Sequence, residues 1–244
     1  MKKILAIFSF FTLVNLNAQI SGQVANMQMS AGGGNNDIVS YLTGDINARK
    51  AKTKVLEADI QGSAYTSDTF LPAQLFFRDE FQSNVLYRYN AYAEEIEIKD
   101  SNVEGVTVQG LARDKDIKLV TADGKSFSFT TFIDKKGLTQ NGYLTKLADG
   151  KYNFYKRFDV KYTQGQKSPN SFVKATPPRF SKFTEYYLEL DGRNRIDELE
   201  LSNRKLLKLV DDSQKEALKV FLKENNIKLK REKDVYKVLA FLNQ

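Results

Sequence analysis

Ser126-Phe127-Ser128-Phe129-Thr130-Thr131-Phe132-Ile133 is the stretch on which the fold of this chain turns. Small polar and large apolar side chains alternate with a period of two, the pattern of a strand with one buried face. The alternation slips by one place near Thr131. Asp123-Gly124 stands just before this run, and Asp-Gly tolerates the positive φ that tight hairpin turns require. The same dipeptide recurs at Asp149-Gly150 and Asp191-Gly192, each between strand-like runs. Working outward, the pattern predicts strands over 117–121, 143–147, 152–162 and 183–190. Upstream it predicts strands over 73–77, 84–90, 94–98 and 103–111, and more loosely over 55–60. In 94–98, Ile96 and Ile98 take one face and the acids the other, as in a half-buried strand. Repeated hairpins pair strands with their sequence neighbours. The expectation is an antiparallel β-meander over 53–200, either a curved sheet or a partial barrel. A proline-containing loop over 168–178 separates the last strands from the others.

The period changes after Leu201. Ser213-Gln214-Lys215-Glu216 has the Ser-x-x-Glu spacing of a capping box, and Ala217, Leu218, Phe221 and Leu222 then share a helical face. Val235, Val238, Leu239 and Leu242 repeat the pattern in a final helix, Asn225-Asn226 interrupts, and a shorter helix is predicted near 203–209. The fold class is therefore α+β, with a helical tail over 201–244.

The N-terminus has another design. Lys2 and Lys3 precede an apolar run over 4–14, and the chain turns polar and ends on a small residue at Ala18. These are the features of a cleavable signal peptide over 1–18. Eleven helical residues reach about 16 Å, roughly half a bilayer core, so no transmembrane anchor is expected. Residues 19–52, with Ala31-Gly32-Gly33-Gly34-Asn35-Asn36, are read as a flexible leader too poor in apolar surface to offset its ordering entropy. A short helix near 37–42 is the one element expected within it. The glycines are not a phosphate-binding loop, because no strand leads into them and no Lys-Ser or Lys-Thr follows.

Composition narrows the chemistry. The chain has 244 residues, with no cysteine, histidine or tryptophan. Without Cys and His it builds no Ser-His-Asp triad, Cys-His pair, ordinary zinc site, disulfide or N-terminal lipid anchor. Catalysis by Ser with Lys stays chemically open, and so does paired-carboxylate chemistry, with Glu94, Glu95 and Glu97 or Asp191, Asp197, Glu198 and Glu200 as the acids, although neither group has calcium-loop spacing. No cofactor and no metal are expected. The net charge is +7. Residues 201–244 carry eleven basic and six acidic side chains, residues 19–200 are neutral, and the remaining two charges lie in the signal. A basic tail on an exported chain points to lipid headgroups, acidic polysaccharide or another protein, and not to nucleic acid.

Two groups are candidate binding residues. Tyr87, Arg88, Tyr89 and Asn90 join aromatic rings to an arginine, the material of binding hot spots and equally of cross-strand packing, with Glu95 or Glu97 as ion-pair partners for Arg88. Lys215, Lys219 and Lys223 sit four apart on one helical face, an anion-binding stripe or, more simply, a solvated face. Phe127, Phe129, Phe132, Phe154, Tyr155 and Phe158 are read as sheet core, or as the lining of a cavity if a barrel is roomy.

Several short motifs carry a resemblance. Gly62-Ser63-Ala64-Tyr65, Leu86-Tyr87-Arg88-Tyr89-Asn90, Glu95-Ile96-Glu97, Gly150-Lys151-Tyr152 with Tyr155-Lys156-Arg157, Glu185-Tyr186-Tyr187, and the helical end from Lys205-Leu206-Leu207 to Asp234-Val235 resemble a group of uncharacterised exported proteins of Bacteroidetes. The signal ending Asn17-Ala18-Gln19 is similar to signals of that phylum. The resemblance covers about three quarters of the chain and implies no activity. Surface-secreted proteins of that phylum often end in a β-rich sorting domain, so a helical end implies retention in the periplasm, with outer-membrane association or secretion as alternatives. The combined expectation is a non-enzymatic envelope protein that binds another envelope protein, an accessory of an outer-membrane assembly or secretion complex, with peripheral membrane contact allowed. The alternatives are a carrier of an apolar small ligand in a curved sheet and, behind it, a carboxylate-dependent hydrolase.

Overall fold

The computed structural model describes residues 42–44, 60–168, 172 and 174–244. The expected signal peptide, the leader apart from 42–44, the strand predicted over 55–60 apart from Ile60, and part of the proline loop lie outside the described residues. Among the described residues eleven strands follow in chain order: β1 (Thr43–Gly44), β2 (Leu71–Phe77), β3 (Glu80–Asn90), β4 (Glu95–Lys99), β5 (Gln109–Leu111), β6 (Ile117–Thr121), β7 (Ser126–Ile133), β8 (Thr139–Ala148), β9 (Tyr152–Thr163), β10 (Arg179–Leu190) and β11 (Ile196–Glu198). Three helices close the chain: α1 (Asn203–Leu209), α2 (Asp212–Glu224) and α3 (Glu232–Leu242). The fold is α+β, with the helices C-terminal to one mixed sheet ordered β1-β5-β4-β3-β2-β6-β7-β11-β10-β9-β8, in which β7 also pairs with β8.

Sequence neighbours pair antiparallel from β2 to β5 and from β6 to β11, as expected of hairpins. Besides β1, which lies on β5, two pairings depart from a simple meander. β6 joins β2 and not β5, and β11 returns to β7 through a parallel pair, Asp197 beside Ile133. Residues 112–116 must therefore carry the chain past β4, β3 and β2. On a flat sheet those four inter-strand steps span about 19 Å, close to the full reach of roughly 20 Å for so short a connection. The sheet is curled instead. Tyr143 of β8 comes close enough to donate to the Ala112 carbonyl at 3.4 Å, and the Ala112 N–H donates to the Leu42 carbonyl at 2.7 Å. That bond docks residues 42–44, read as leader, on the edge of β5.

The concave face buries Leu75, Val85, Ile96, Leu111 and Leu119 together with Tyr89, Phe127 and Tyr143, whose ring centres lie 5.0 to 5.7 Å apart. The phase slip at Thr131 has its explanation here. The β7–β8 register runs unbroken from Ser126 opposite Lys146 to Ile133 opposite Thr139, so the backbone has no bulge. The apolar content changes face. Phe127 and Phe129 serve the concave core, whereas Phe132 turns to the other side and packs with Leu144, Tyr155, Tyr187 and Ile196. A third core lies under the helices, where Tyr152, Phe154 and Leu188 meet Leu206, Leu218, Leu222, Val235, Val238, Leu239 and Leu242. Helices of 7, 13 and 11 residues are marginal alone, and each buried Leu or Val contributes about 1.5–3 kcal/mol. Docking therefore makes the helices. All described residues belong to one unit.

Several expectations are corrected. Only 109–111 of the strand expected over 103–111 pairs, and β11 lacked a long enough run to be read. Glu95 and Glu97 are buried, because the segment 60–70 covers the convex face of β4. The cap of α2 is Asp211, whose carboxylate accepts from the Ser213 N–H at 3.0 Å, and the Ser213 hydroxyl donates to it instead of capping. Ala217 is exposed.

Segment 60–70 reaches its place through Gly62, which has φ +80°. A Cβ there would lie 2.6 Å from the Phe180 carbonyl oxygen, whereas one at Gly124, φ +77°, would meet nothing within 4 Å. Gly62→Ala is expected to cost about 3 kcal/mol in urea unfolding and Gly124→Ala about 1 kcal/mol. Equal costs would mean that the close approach does not exist. Burial first, then neighbouring carboxylates, pushes the Tyr89, Tyr155 and Tyr187 hydroxyls far above the ordinary tyrosine value, and Tyr186 up to about 12. Below about pH 10 folded and unfolded chains both keep these protons. Above it the unfolded chain releases protons that the folded chain retains, so stability falls as pH rises. In an alkaline titration, part of the tyrosinate absorbance is expected to appear only together with loss of circular dichroism. Ionisation of all 12 tyrosines in one step with the fold intact would contradict this.

Candidate functional site

The strand alternation of β3 decides what its aromatic stretch does. Tyr87 and Tyr89 point to the concave core. Tyr89 is 2 % exposed and wedged edge-on between Phe127 and Tyr143. Asn90 faces the convex side, where its amide oxygen accepts from the Ala93 N–H at 3.0 Å and fixes the β3–β4 turn. Arg88 shares that side. Its guanidinium lies 4.0 and 4.7 Å from the ring centres of Tyr65 and Phe70 and donates to Glu97 at 2.5 Å. The Tyr65 hydroxyl donates to the other Glu97 oxygen at 3.0 Å, and Glu97 is 1 % exposed. The four residues thus serve a core, a turn and a covered ion pair stacked between two rings. Four of the other candidate acids are engaged as well. Arg157 is held by Glu94 and by Glu185 at 2.7 Å, Asp197 by Arg195 at 2.8 Å and Glu200 by Lys205, while Glu198 accepts from the Lys135 N–H at 2.7 Å.

On α2, Lys215 pairs with Asp212 and Lys219 with Glu216, each at 2.5 Å. Lys223 lies in the last turn, where a cation suits the helix dipole. This row faces solvent and is partly neutralised.

The concentration of charge lies one step farther along the chain. After α2, Asn226 takes φ +48° and Ile227-Lys228-Leu229-Lys230 runs extended with Ile227 and Leu229 buried. Period-two alternation then turns Lys228 and Lys230 outward together. Asn203, at the start of α1, clamps this strand-like link: its amide donates to the Ile227 carbonyl at 2.8 Å and accepts from the Leu229 N–H at 2.9 Å. The Asp234 carboxylate accepts from the N–H groups of Lys230 at 3.3 Å and Arg231 at 3.1 Å. Burial works to raise the Asp234 pKa, but those N–H bonds and nearby cations outweigh it and hold the carboxyl below its usual range. The result is an open cleft of about 580 Å³, lined by Lys228, Lys230, Arg231 and Lys237 and by the Asp234 carboxylate, 3.8 Å from Arg231, with Asn225 and Asn226 at its edge. Lys228, Lys230 and Lys237 make no ion pair with a described residue.

No family model, curated protein or solved structure matches the chain. Among the described residues no group of three or more acidic, His or Cys side chains could hold a metal ion, and no helix is long and apolar enough to cross a membrane. The α2 lysines, expected as an anion-binding stripe or more simply a solvated face, face solvent, with two of the three paired to acids on the same helix. The signal that locates the cleft was the Ile227-Lys228-Leu229-Lys230 alternation between two helical patterns.

Removing one partner of a buried ion pair strands the other charge, at about 3–5 kcal/mol, whereas removing both is nearly neutral. Arg88→Leu is expected to lose about 3 kcal/mol in urea unfolding, Arg88→Leu/Glu97→Leu to regain most of it, and Lys219→Ala to stay within about 0.5 kcal/mol. If Arg88→Leu also stays within that margin, Arg88 is free for a partner.

Proposed function

We propose that this is an exported envelope protein that acts by binding another protein, without catalysing a reaction, as an accessory of an outer-membrane assembly or secretion complex. The observation that supports it is the cleft of Lys228, Lys230 and Arg231 on a clamped link with Lys237 on α3 beside them, in a tail that follows a neutral stretch over 19–200. Its complement is an acidic segment of a partner. A bilayer is the poorer fit, since the apolar faces of α2 and α3 are turned inward, where Leu218, Leu222, Val235, Val238 and Leu239 are buried. The export reading rests on the N-terminal charge-and-apolar pattern and on the resemblance to exported proteins. An apolar carrier finds less support, because stacked rings fill the concave face.

Pull-down from solubilised envelope at native expression is the test. The wild type is expected to retain a stoichiometric protein partner at low salt and release it near 0.5 M salt, where the Debye length falls to about 4 Å. Lys228→Glu/Lys230→Glu/Lys237→Glu is expected to lose it with the fold intact. Recovery of the wild type alone overturns the proposal. So does charge-dependent binding to anionic lipid vesicles with no protein partner, which would make the cleft a membrane contact.

A further inference from the structure

A second cleft arises from the way β7 divides one of its edges. β6 pairs with it at Ser126–Ser128 and β11 only at Ile133, so no described strand covers that edge over 129–132. Between the parting strands lies a cleft of about 310 Å³, which adjoins a second hollow of about 520 Å³ through Lys115, Thr130 and Ile196. Ser126, Ser128 and Thr130 project into it in one row, two residues apart on one face of β7. All three are half-buried, and none of their hydroxyls is hydrogen-bonded to a described residue. Lys118 stands opposite Ser128 on β6, Lys146 opposite Ser126 on β8, and Lys115 enters from the connection before β6.

The charges are set unevenly. Lys118 is paired with Asp79 at 2.6 Å, Lys146 with Asp149 at 2.8 Å and Arg78 with Asp116 at 3.3 Å. Lys115 makes no ion pair with a described residue and is the cation available to a ligand. Hydroxyls both donate and accept, so a row of three complements a ligand that itself carries several hydroxyls, and Lys115 adds a preference for one negative charge. Apolar acids fit poorly, because Ile196 and the Tyr155 ring are the main apolar groups in the cleft. Nucleotides fit poorly as well: Tyr155 is buried and its hydroxyl is committed to Glu189, so it offers no open ring for a base.

We infer that the fork between β6 and β11 is a binding site for an anionic sugar unit, a monosaccharide carrying a carboxylate or phosphate, held by Ser126, Ser128 and Thr130 with Lys115 on its charge. The site lies on the sheet and uses none of the residues of the helical cleft, so it stands or falls apart from the protein-binding proposal.

Titration of the isotopically labelled full chain, followed by NMR, tests it with four probes: glucuronate, glucose, inorganic phosphate and an oligomer of glucuronate. Glucuronate is expected to saturate shifts at Ser128 and Thr130, with glucose and phosphate weaker. Loss of one hydroxyl in Ser128→Ala or Thr130→Val is expected to weaken glucuronate about five-fold each. Lys115→Ala is expected to bring glucuronate down to the level of glucose, and Lys219→Ala to change nothing. Tighter binding of the oligomer would identify a polymer as the source, and equal binding a free sugar. No saturable shift with glucuronate overturns the inference, as do phosphate binding as tightly as glucuronate and affinity that survives both hydroxyl substitutions.

Discussion

One strand carries the architecture. β7 is paired along one edge by β8 and shares its other edge between β6 and β11, while its two faces feed two different cores. A strand with both faces and both edges in use has little freedom of register, since a slip of one residue would bury Ser126 and Ser128 and expose Phe127 and Phe129. The curl of the first half, the return of β11 and the fork that leaves 129–132 uncovered all follow from holding this segment in place. The long β9–β10 hairpin links the cores. Its Tyr152–Phe154 end carries the helices, while Phe158 and Val160 farther along pack on the concave core.

A second device fixes how the halves meet. Glu94, at φ +50° in the β3–β4 turn, reaches Arg157 on β9, which also holds Glu185. The contact passes beside Gly142 of β8, where a Cβ would lie 3.2 Å from the Glu94 carboxylate. Ion pairs so covered add little net stability, because desolvation offsets their attraction, but they tolerate few alternative arrangements. The neutrality of residues 19–200 has a structural meaning in this light. Acids there are placed against cations on neighbouring strands, as Glu97 is against Arg88 and Glu185 against Arg157.

What the sequence revealed follows the range of the forces involved. Local signals were legible: Asp-Gly turns, strand alternation and the apolar faces of α2 and α3 fell where the hairpins and helices stand. The slip at Thr131 was visible, but its cause was not, because it depends on a second core assembled from β8, β9, β10 and β11. Pairing of β6 with β2, closure of β11 on β7 and burial of Glu95 and Glu97 are long-range outcomes that no window of one strand contains. The two clefts were hidden for the same reason. Ser126, Ser128 and Thr130 read as the solvent face of a strand, and only the divergence of two strands distant in sequence opens a cleft beside them.

The helical cleft shows what holding like charges together requires. Four cations around one hollow repel one another, and an unrestrained loop would relieve the repulsion by spreading its side chains. The link between α2 and α3 is restrained at several points: Ile227 and Leu229 are anchored in the core, Asn203 grips the backbone from both sides of Lys228, and Asp234 gathers the N–H groups of Lys230 and Arg231. Backbone held in this way is already ordered before a ligand arrives, so less conformational entropy is lost on association. A solvated basic surface needs no such clamp. The lysines of α2 have none, and two of them are answered by acids one turn away. Two basic rows in one tail thus differ in their partners: on α2 two of three lysines are answered by acids one turn away, whereas among the described residues around the link only Arg231 has such a partner, Asp234 at 3.8 Å.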